Sequence, residues 1–391
     1  MPNPPRAPVL GPRFLSLPIL GLGCLIAVLP GFTGTRDPRD QGAGTGAVQA
    51  LEAALARYQD IVTRGGWRIV DSGAALEPLT ADTRVPALRE RLVAEGYQAG
   101  DNPPDSGLYD SGLASSVRRF QSLHGLEEDG IVGPATLQAL NVTAEARVRQ
   151  IVSNLERRRA IADSLGDRYI LENSAAFMLE VVDSGRVVMR LRTIVGRPDW
   201  PTPVVSSRIT ELIFRPLWRV PRSIAVKEVL RLVRRDSSYL QRNGMRVFRN
   251  SADGNGSEVN PDSIDWSRVT RRNFAYQFVQ EPGPKNPLGG VKFVLRTPFD
   301  VYLHDTSARG LFNRRSRPLS HGCVRVDEVE RLASYLLPAW SMDSIRAAMT
   351  TGRERSVGLE APIPVHLVYW TAWSEGDGPI AFRDDVYHLD R

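Results

Sequence analysis

Apolar positions recur at spacings of three and four along the first part of the chain that looks folded. Residues 48–62 carry such a stripe, and similar patterns cover residues 82–96 and 113–123. This period predicts amphipathic helices. Pro134 stands where a short helix would begin, since proline is favoured in the first helical turn. Residues 142–165 are predicted to form a charge-rich helical connector.

From Tyr169 onward the apolar period changes to two. Residues 175–182 alternate apolar and polar positions, residues 183–185 contain Asp, Ser and Gly, and residues 187–191 alternate again. Two alternating runs around a short turn predict a β-hairpin. Further strand-like runs cover residues 209–214, 290–295, 299–304 and 364–370. This part is therefore predicted to be mainly β, and the fold class to be multidomain α+β.

The β pattern is interrupted between residue 221 and about residue 284. Residues 224–233 have a helical pattern, whereas residues 250–262 are polar and contain glycine. Loops of this length inside compact domains are usually lids or disordered inserts. We predict an insert that caps the β part.

The N-terminus has the pattern of an export signal. Arg6 and Arg13 precede an uncharged apolar run over residues 14–32. A positive segment before an apolar one directs secretion, and the run is close to the roughly 20 residues that a membrane span needs. A cleaved signal and an uncleaved inner-membrane anchor both fit. Either predicts an exported, periplasmic protein, and an anchored N-terminus would contact the inner membrane.

The composition allows several domains. The chain has 391 residues, is 42% hydrophobic and carries a formal charge of +6. We predict a signal or anchor (1–35), a linker with a helical scaffold (36–79), a three-helix module (80–143), a connector (144–168), a catalytic domain (169–375) and a tail (376–391). No basic stripe is interleaved with aromatic residues, so a nucleic-acid partner is not expected. A basic surface facing an anionic polymer, a membrane or a cell wall is equally compatible with the charge.

Cys323 is the strongest candidate for chemistry. It ends the string Ser320-His321-Gly322-Cys323, and His304 lies upstream at the end of a strand-like run. The other cysteine, Cys24, lies in the N-terminal apolar run, so the exported part would hold a single thiol. Because the thiolate is the nucleophile and a free cysteine is mostly thiol at neutral pH, activation by a histidine is expected.

The three-helix module resembles the peptidoglycan-binding domain of bacterial wall enzymes. The residues that carry the resemblance are Val117, Arg118, Phe120, Gln121, Gly125, Leu126, Asp129, Gly130, Gly133, Pro134, Thr136, Leu137, Leu140 and Asn141. The resemblance implies binding of glycan. A scaffold that no longer binds glycan is the alternative, because fold alone does not establish function.

The β part resembles the L,D-transpeptidase catalytic domain of the YkuD type. The family motif is a histidine followed by Ser/Thr-His-Gly-Cys, here His304 and then residues 320–323. Supporting stretches cover residues 195–197, 201–203, 218–221, 280–283 and 286–289. The insert and the preceding module resemble the large YcbB-type members. Arg325 stands where many smaller members have asparagine, so its role is left open.

The residues suggest roles in acyl transfer. Cys323 is expected to attack a carbonyl, and His304 to act first as base and then as acid. Amides near Gly322 and Cys323 are natural oxyanion donors. The family pattern further implies that the backbone carbonyl of Asp305 holds the other ring nitrogen of His304. It also suggests the hydroxyl of Tyr302 as a second oxyanion donor.

Three neighbouring side chains are candidates for substrate binding: Ser320, His321 and Arg325. Each has an alternative. Ser320 would tie the turn together rather than act as a nucleophile, and His321 would be a structural hydrogen-bonding residue rather than a second base. Arg325 would bind either a substrate carboxylate or an internal acid such as Asp327.

The resemblance implies formation of 3→3 peptidoglycan cross-links from tetrapeptide stems through a cysteinyl thioester. It implies sensitivity to carbapenems and no metal or organic cofactor. The expected partners are stem peptides, glycan and wall-synthesis enzymes. Alternatives are an L,D-carboxypeptidase, attachment of a protein lysine by the same acyl-enzyme, a non-catalytic wall-binding protein, and a zinc peptidase using the two histidines and the cysteine.

Overall fold

The structure, a computed structural model, describes residues 43–98, 100, 102–249, 256–375 and 378–391. The predicted signal or anchor lies outside these residues. The N-terminal part is helical. Its helices are α1 (Ala43–Thr63), α2 (Val85–Ala94), α3 (Ser111–Leu123), α4 (Pro134–Leu140) and α5 (Ala144–Ala162). No helix within the described ranges is both long and apolar enough to cross a membrane.

Side chains of the helical module hold its turns. Asp110 caps α3 by accepting the N–H of Leu113 at 2.8 Å. The amide of Gln121 donates to Asp129 at 2.7 Å and accepts the N–H of Gly130 at 2.8 Å. Gly130 has a φ of 75°, a left-handed conformation that glycine adopts without strain. Several residues that carry the resemblance to a binding domain are therefore structural in this module.

A buried ionic cluster joins α1 to α2. Glu95 is 1% exposed, pairs with Arg91 at 2.7 Å and accepts the hydroxyl of Tyr58 at 2.9 Å. The guanidinium of Arg91 also lies 3.7 Å from the ring centroid of Trp67. Buried charges are tolerated when they are paired in this way.

The predicted catalytic domain begins with β1 (Tyr169–Asn173), β2 (Met178–Asp183), β3 (Arg186–Gly196) and β4 (Val205–Phe214). The predicted hairpin is confirmed as β2 and β3. Its two turn residues, Ser184 and Gly185, have φ values of 51° and 69°. Positive φ at both positions is typical of the tight turns that join twisted strands.

The interruption of the β pattern is a small subdomain. It contains β5 (Trp218–Arg219), α6 (Arg222–Ile224), a π-helical turn (Ala225–Val229), α7 (Leu230–Arg235), α8 (Tyr239–Arg242), β6 (Met245–Arg249), β7 (Glu258–Val259) and β8 (Tyr276–Gln280). The strands form a separate sheet in the order β5-β8-β6-β7. A hydrophobic cluster around Phe278 and Trp266 fills it. Because β5 pairs with β8, this sheet includes residues just before position 221. We call this unit the insert.

The remaining elements complete the main sheet. They are β9 (Val291–Leu295), β10 (Leu303–His304), β11 (Pro318–Ser320), β12 (Val324–Val326), α9 (Val329–Leu336), α10 (Met342–Thr350) and β13 (Arg355–Val368). The nine strands follow the order β11-β3-β12-β10-β9-β4-β13-β1-β2, and β2 also pairs with β3. The core lies between this sheet and the helices α9 and α10. The predicted α+β architecture, helical module before a mainly β domain, is confirmed.

The strand predicted over residues 299–304 is mostly a loop, and only Leu303–His304 is extended. The hydroxyl of Thr297 accepts the N–H of Phe299 at 2.9 Å and donates to its carbonyl at 2.8 Å. Such local bonds compete with strand pairing. The loop carries Asp300 towards the motif cysteine.

The predicted C-terminal tail is part of the fold. The strands β14 (Ala372–Ser374) and β15 (Ile380–Phe382) pair with each other. Phe382 packs in a cluster with Tyr58 of α1 and Ile151 of α5. Residues beyond β15 return to the main sheet.

Candidate active site

The Ser320–Cys323 string forms the turn between β11 and β12. Gly322 has a φ of 111°, which favours glycine. The hydroxyl of Ser320 donates to the carbonyl of Cys323 at 2.5 Å and accepts the N–H of Gly322 at 3.1 Å. Ser320 is buried, and its hydroxyl is occupied within the turn. These two bonds fit the alternative in which Ser320 ties the turn together, and substrate binding by Ser320 stays a prediction.

Strand pairing places the predicted residues on one face of the sheet. The parallel pair β10 and β12 sets Leu303 opposite Val324, and His304 opposite Arg325. Leu303 and Val324 are fully buried in the core. Because side chains alternate along strands, those of Tyr302, His304, Cys323 and Arg325 belong to the other face. On the far side of His304, β9 places Lys292 opposite it.

The sulfur of Cys323 is half-buried and contacts the loop before β10. Its thiol donates to the carbonyl of Asp300 at 3.7 Å. Desolvation raises the pKa of Cys323 to about 11, although hydrogen bonds from the amide and hydroxyl of Tyr302 act to lower it. The hydrogen bond of the thiol is made with Asp300 rather than with His304.

His304 is buried and its ring is oriented by backbone. Nδ1 lies 2.5 Å from the carbonyl oxygen of Asp305. Burial lowers the pKa of His304 to about 3, and the charges of Arg325 and Lys292 contribute. The carboxylate of Asp305 is used elsewhere, because it accepts the N–H of Gly290 and an Arg309 nitrogen, both at 2.8 Å.

The thiol and imidazole are therefore both uncharged at neutral pH. Sequence reasoning expected a thiolate activated by histidine. In this structure the desolvated surroundings disfavour both charged forms. Deprotonation of the sulfur must accompany its attack on a carbonyl, with the neutral imidazole taking the proton.

Two cations flank His304. The ammonium of Lys292 lies 3.8 Å from the ring centroid of Tyr302, and burial lowers its pKa. Burial also lowers the pKa of Arg325, whose Nε is buried and has no hydrogen-bond partner within the described residues. Asp327, the internal acid considered for Arg325, pairs with Arg192 at 2.6 Å instead.

The sequence motifs do not single out Lys292 as a site residue. Its position opposite His304 depends on the register between β9 and β10. The one available signal was composition, because the chain has only three lysines among its 50 basic residues.

The insert touches the motif through His321. Nε2 of His321 lies 2.7 Å from Glu228, which also accepts a nitrogen of Arg197 at 3.1 Å. Burial opposes ionisation of Glu228, but these two hydrogen bonds outweigh it and keep its pKa below the usual value. The indole of Trp200 lies 4.4 Å from the His321 ring. This nitrogen of His321 bonds to the insert, which fits the alternative of a structural role, and substrate binding by His321 stays a prediction.

Within the described ranges, no three His, Cys, Asp or Glu side chains are grouped so that they could hold a metal ion. His304, His321 and Cys323 therefore do not form a zinc-ligand cluster.

Two family descriptions match this chain. Residues 167–354 match "L,D-transpeptidase catalytic domain" (YkuD), and residues 81–140 match "Putative peptidoglycan binding domain". A "Putative L,D-transpeptidase" of Haemophilus influenzae is 32% identical over 263 residues, which are 66% of this chain and 52% of the relative. This chain thus spans about half the length of that curated relative.

Solved structures of L,D-transpeptidases are also similar. One from Xylanimonas cellulosilytica is 16% identical, covering 76% of this chain and 98% of that chain, with a TM-score of 0.24. Mycobacterium tuberculosis L,D-transpeptidase 1 is 15% identical, covering 52% of this chain and 61% of that chain, with a TM-score of 0.22. These scores are too low to add to the family match.

Proposed function

Because residues 167–354 belong to the YkuD family of L,D-transpeptidase catalytic domains, we propose that this protein forms 3→3 cross-links between peptidoglycan tetrapeptide stems. The supporting observation is the shared face of Tyr302, His304, Cys323 and Arg325 on neighbouring parallel strands. The preceding module matches a peptidoglycan-binding description, which is consistent with the same polymer as substrate.

In the proposed acylation, the sulfur of Cys323 bonds to the carbonyl carbon of the third stem residue as His304 takes the thiol proton. The bond from that carbon to the nitrogen of the terminal D-alanine then breaks. His304 returns the proton to the departing amine, which leaves a thioester on Cys323. In deacylation, the side-chain amine of a second stem attacks the thioester and loses a proton to His304, and the thiol is restored.

The site offers donors for the oxyanion of both steps. The amide of Cys323 and the hydroxyl of Tyr302 both lie beside the sulfur, and no group in the described ranges accepts the Cys323 N–H. Hydrogen-bond donors that already point at the developing charge need no reorganisation during the reaction. The carbonyl of Asp305 keeps the His304 ring oriented.

Arg325 and Lys292 are proposed to receive a carboxylate of the stem peptide. Both are half-buried cations beside His304. Neither has an ion pair among the described residues. An anionic peptide would satisfy these charges where no internal acid does.

The test is a reaction of the full chain with purified disaccharide tetrapeptides, analysed by mass. Wild-type protein is expected to form dimers with loss of D-alanine, and Cys323→Ser to form none. Cys24→Ser is the matched control, because it removes the other cysteine. Dimer formation by Cys323→Ser would refute the mechanism. Tripeptide monomers without dimers would assign water as the acceptor and make the protein an L,D-carboxypeptidase.

Export is proposed from the N-terminal sequence, in which Arg6 and Arg13 precede the apolar run. A peptidoglycan substrate requires a periplasmic location of the catalytic domain. Fractionation of cells that produce the chain tests this. Recovery in the cytosol with an intact N-terminus would contradict it, and recovery with membranes would favour the anchor over the cleaved signal.

A further inference from the structure

The C-terminal segment after β15 reaches the turn that carries Cys323. Its Tyr387 stacks on Tyr369, with ring centroids 4.8 Å apart, and the N–H of Tyr387 donates to the Tyr369 hydroxyl at 3.0 Å. The carboxylate of Asp385 accepts the same hydroxyl at 2.8 Å. These contacts hold Tyr387 in place, although it lies beyond the residues that match the family description.

Four hydrogen bonds lead from Tyr387 to the motif. Its hydroxyl donates to the carbonyl of Gly196 at 2.6 Å and accepts the N–H of Thr202 at 3.3 Å. The hydroxyl of Thr202 accepts the N–H of Gly196 at 2.9 Å and donates to the carbonyl of Gly322 at 2.8 Å. Each hydroxyl therefore donates one bond and accepts another, and Thr202 is buried.

The backbone around Thr202 is packed closely enough to transmit a displacement. A Cβ on Gly196 would lie 2.1 Å from the carbonyl oxygen of Trp200 and 2.6 Å from the N–H nitrogen of Thr202. Such distances leave no room for a side chain, so glycine is required there. A shift of the Thr202 backbone would carry its hydroxyl away from Gly322.

The bond to the Gly322 carbonyl matters because peptide units are planar. In a trans peptide the carbonyl and the following N–H point in opposite directions. Fixing the Gly322 carbonyl therefore fixes the direction of the Cys323 N–H, the proposed oxyanion donor. Ser320 holds the peptide units on either side of this one, whereas the bond to the Gly322 carbonyl comes from Thr202.

We propose that Tyr387 is a positioning residue for the oxyanion site, acting through Thr202 on the Gly322–Cys323 peptide. The inference rests on the proposed attack by Cys323. It assigns to the C-terminal segment a part in acyl transfer beyond its part in stability.

Two reactions of the same sulfur distinguish positioning from packing. Acylation by a carbapenem passes through an oxyanion, whereas alkylation by iodoacetamide does not. Tyr387→Phe keeps the ring stack and removes only the hydroxyl. We expect its acylation rate to fall about tenfold to a hundredfold. This decrease is smaller than the one caused by removing an oxyanion donor outright, because the donor is only displaced. The alkylation rate should stay within about twofold of wild type.

Two further comparisons locate the effect. Thr202→Val should slow acylation at least as much as Tyr387→Phe, and the double variant should be no slower than Thr202→Val, because both act through one chain of bonds. Ser153→Ala is the matched control. The Ser153 hydroxyl donates to the carbonyl of Arg391 and accepts its N–H, both at 3.0 Å, so it tethers the last residue without contacting Tyr387, Tyr369 or Asp385. This variant should lower the melting temperature without changing the acylation rate.

The outcomes are distinct. If wild-type protein is not acylated, the proposed function fails. If wild-type protein is acylated and Tyr387→Phe matches its rate, or loses acylation and alkylation in equal proportion, the positioning inference fails. Should Tyr387→Phe not fold, Thr202→Ser and Thr202→Val decide, since serine should retain acylation and valine lose it. Equal rates for those two would overturn the inference.

Discussion

The uncharged state of Cys323 and His304 has a measurable consequence for the thiol. With the pKa of Cys323 raised from 9.0 to about 11, the thiolate fraction at pH 7 is about 10⁻⁴, compared with about 10⁻² for the unperturbed value. A thiolate with a higher pKa is the stronger nucleophile, by roughly 0.4 to 0.5 log unit per pKa unit. The two effects oppose each other, and the net alkylation of Cys323 at pH 7 should be about tenfold slower than that of a free cysteine.

The pH dependence follows from the same state. The alkylation rate should rise about tenfold per pH unit from pH 7 to pH 10, without a plateau. Tyr302→Phe should lower it further, because the hydroxyl of Tyr302 acts to lower the pKa of the thiol. Because the imidazole is neutral, its removal should change the pKa of the thiol little. Below pH 9, the alkylation rate of His304→Gln should therefore stay within about threefold of the wild-type rate.

The assay is timed alkylation with iodoacetamide in a Cys24→Ser background, followed by mass, so that only Cys323 is measured. Reaction of the same protein unfolded in urea supplies the free-cysteine reference. A plateau with a midpoint below about pH 8 that disappears in His304→Gln would refute the reasoning. That result would show a thiolate–imidazolium pair in the resting enzyme.

Other predictions concern the insert, the helical part and the motif turn. Glu228→Gln should weaken the contact with His321 by about 0.5–1 kcal/mol. Amide exchange in Ala225–Val229 should become about two- to fivefold faster, with unchanged alkylation of the thiol; unchanged exchange would contradict this prediction. Glu95→Gln should cost about 3–5 kcal/mol in urea unfolding, because it leaves Arg91 buried and uncompensated. A decrease of less than 1 kcal/mol in the free energy of unfolding of Glu95→Gln would count against this. Burial opposes ionisation of Glu95, but neighbouring charges lower its pKa from 4.5 to about 2. The stabilisation by the Glu95 carboxylate is therefore present above pH 4.5 and is lost as the pH falls towards 2. Gly322→Ala should cost about 1–3 kcal/mol, because its φ of 111° strains other residues, and a melting temperature equal to wild type would contradict that.

Local sequence patterns identified the elements that local forces decide. The hairpin of β2 and β3 was predictable because alternation and a Ser-Gly turn lie within a few residues of each other. The helical module was predictable because its apolar stripes and the proline at the start of α4 are local too. The prediction of a strand over residues 299–304 was wrong for a comparable local reason, because the hydrogen bonds of the Thr297 side chain override the apolar pattern.

The roles of individual site residues required the tertiary structure. Ser320 and His321 stand in the motif like Cys323, yet their polar groups serve the turn and the insert. Lys292 had no motif to mark it, and only the register of β9 against β10 brings it beside His304.

The sequence by itself determined the candidates for the proposed chemistry, because a histidine followed by a Ser-His-Gly-Cys string matches the family motif for a nucleophile and its base. Only the tertiary structure decided the charge state of that pair, since desolvation depends on what packs around the two groups. It also decided that Tyr387 reaches Gly322 through Thr202. Hydrogen bonds between segments far apart in sequence follow from how the sheet closes, and no local pattern encodes them.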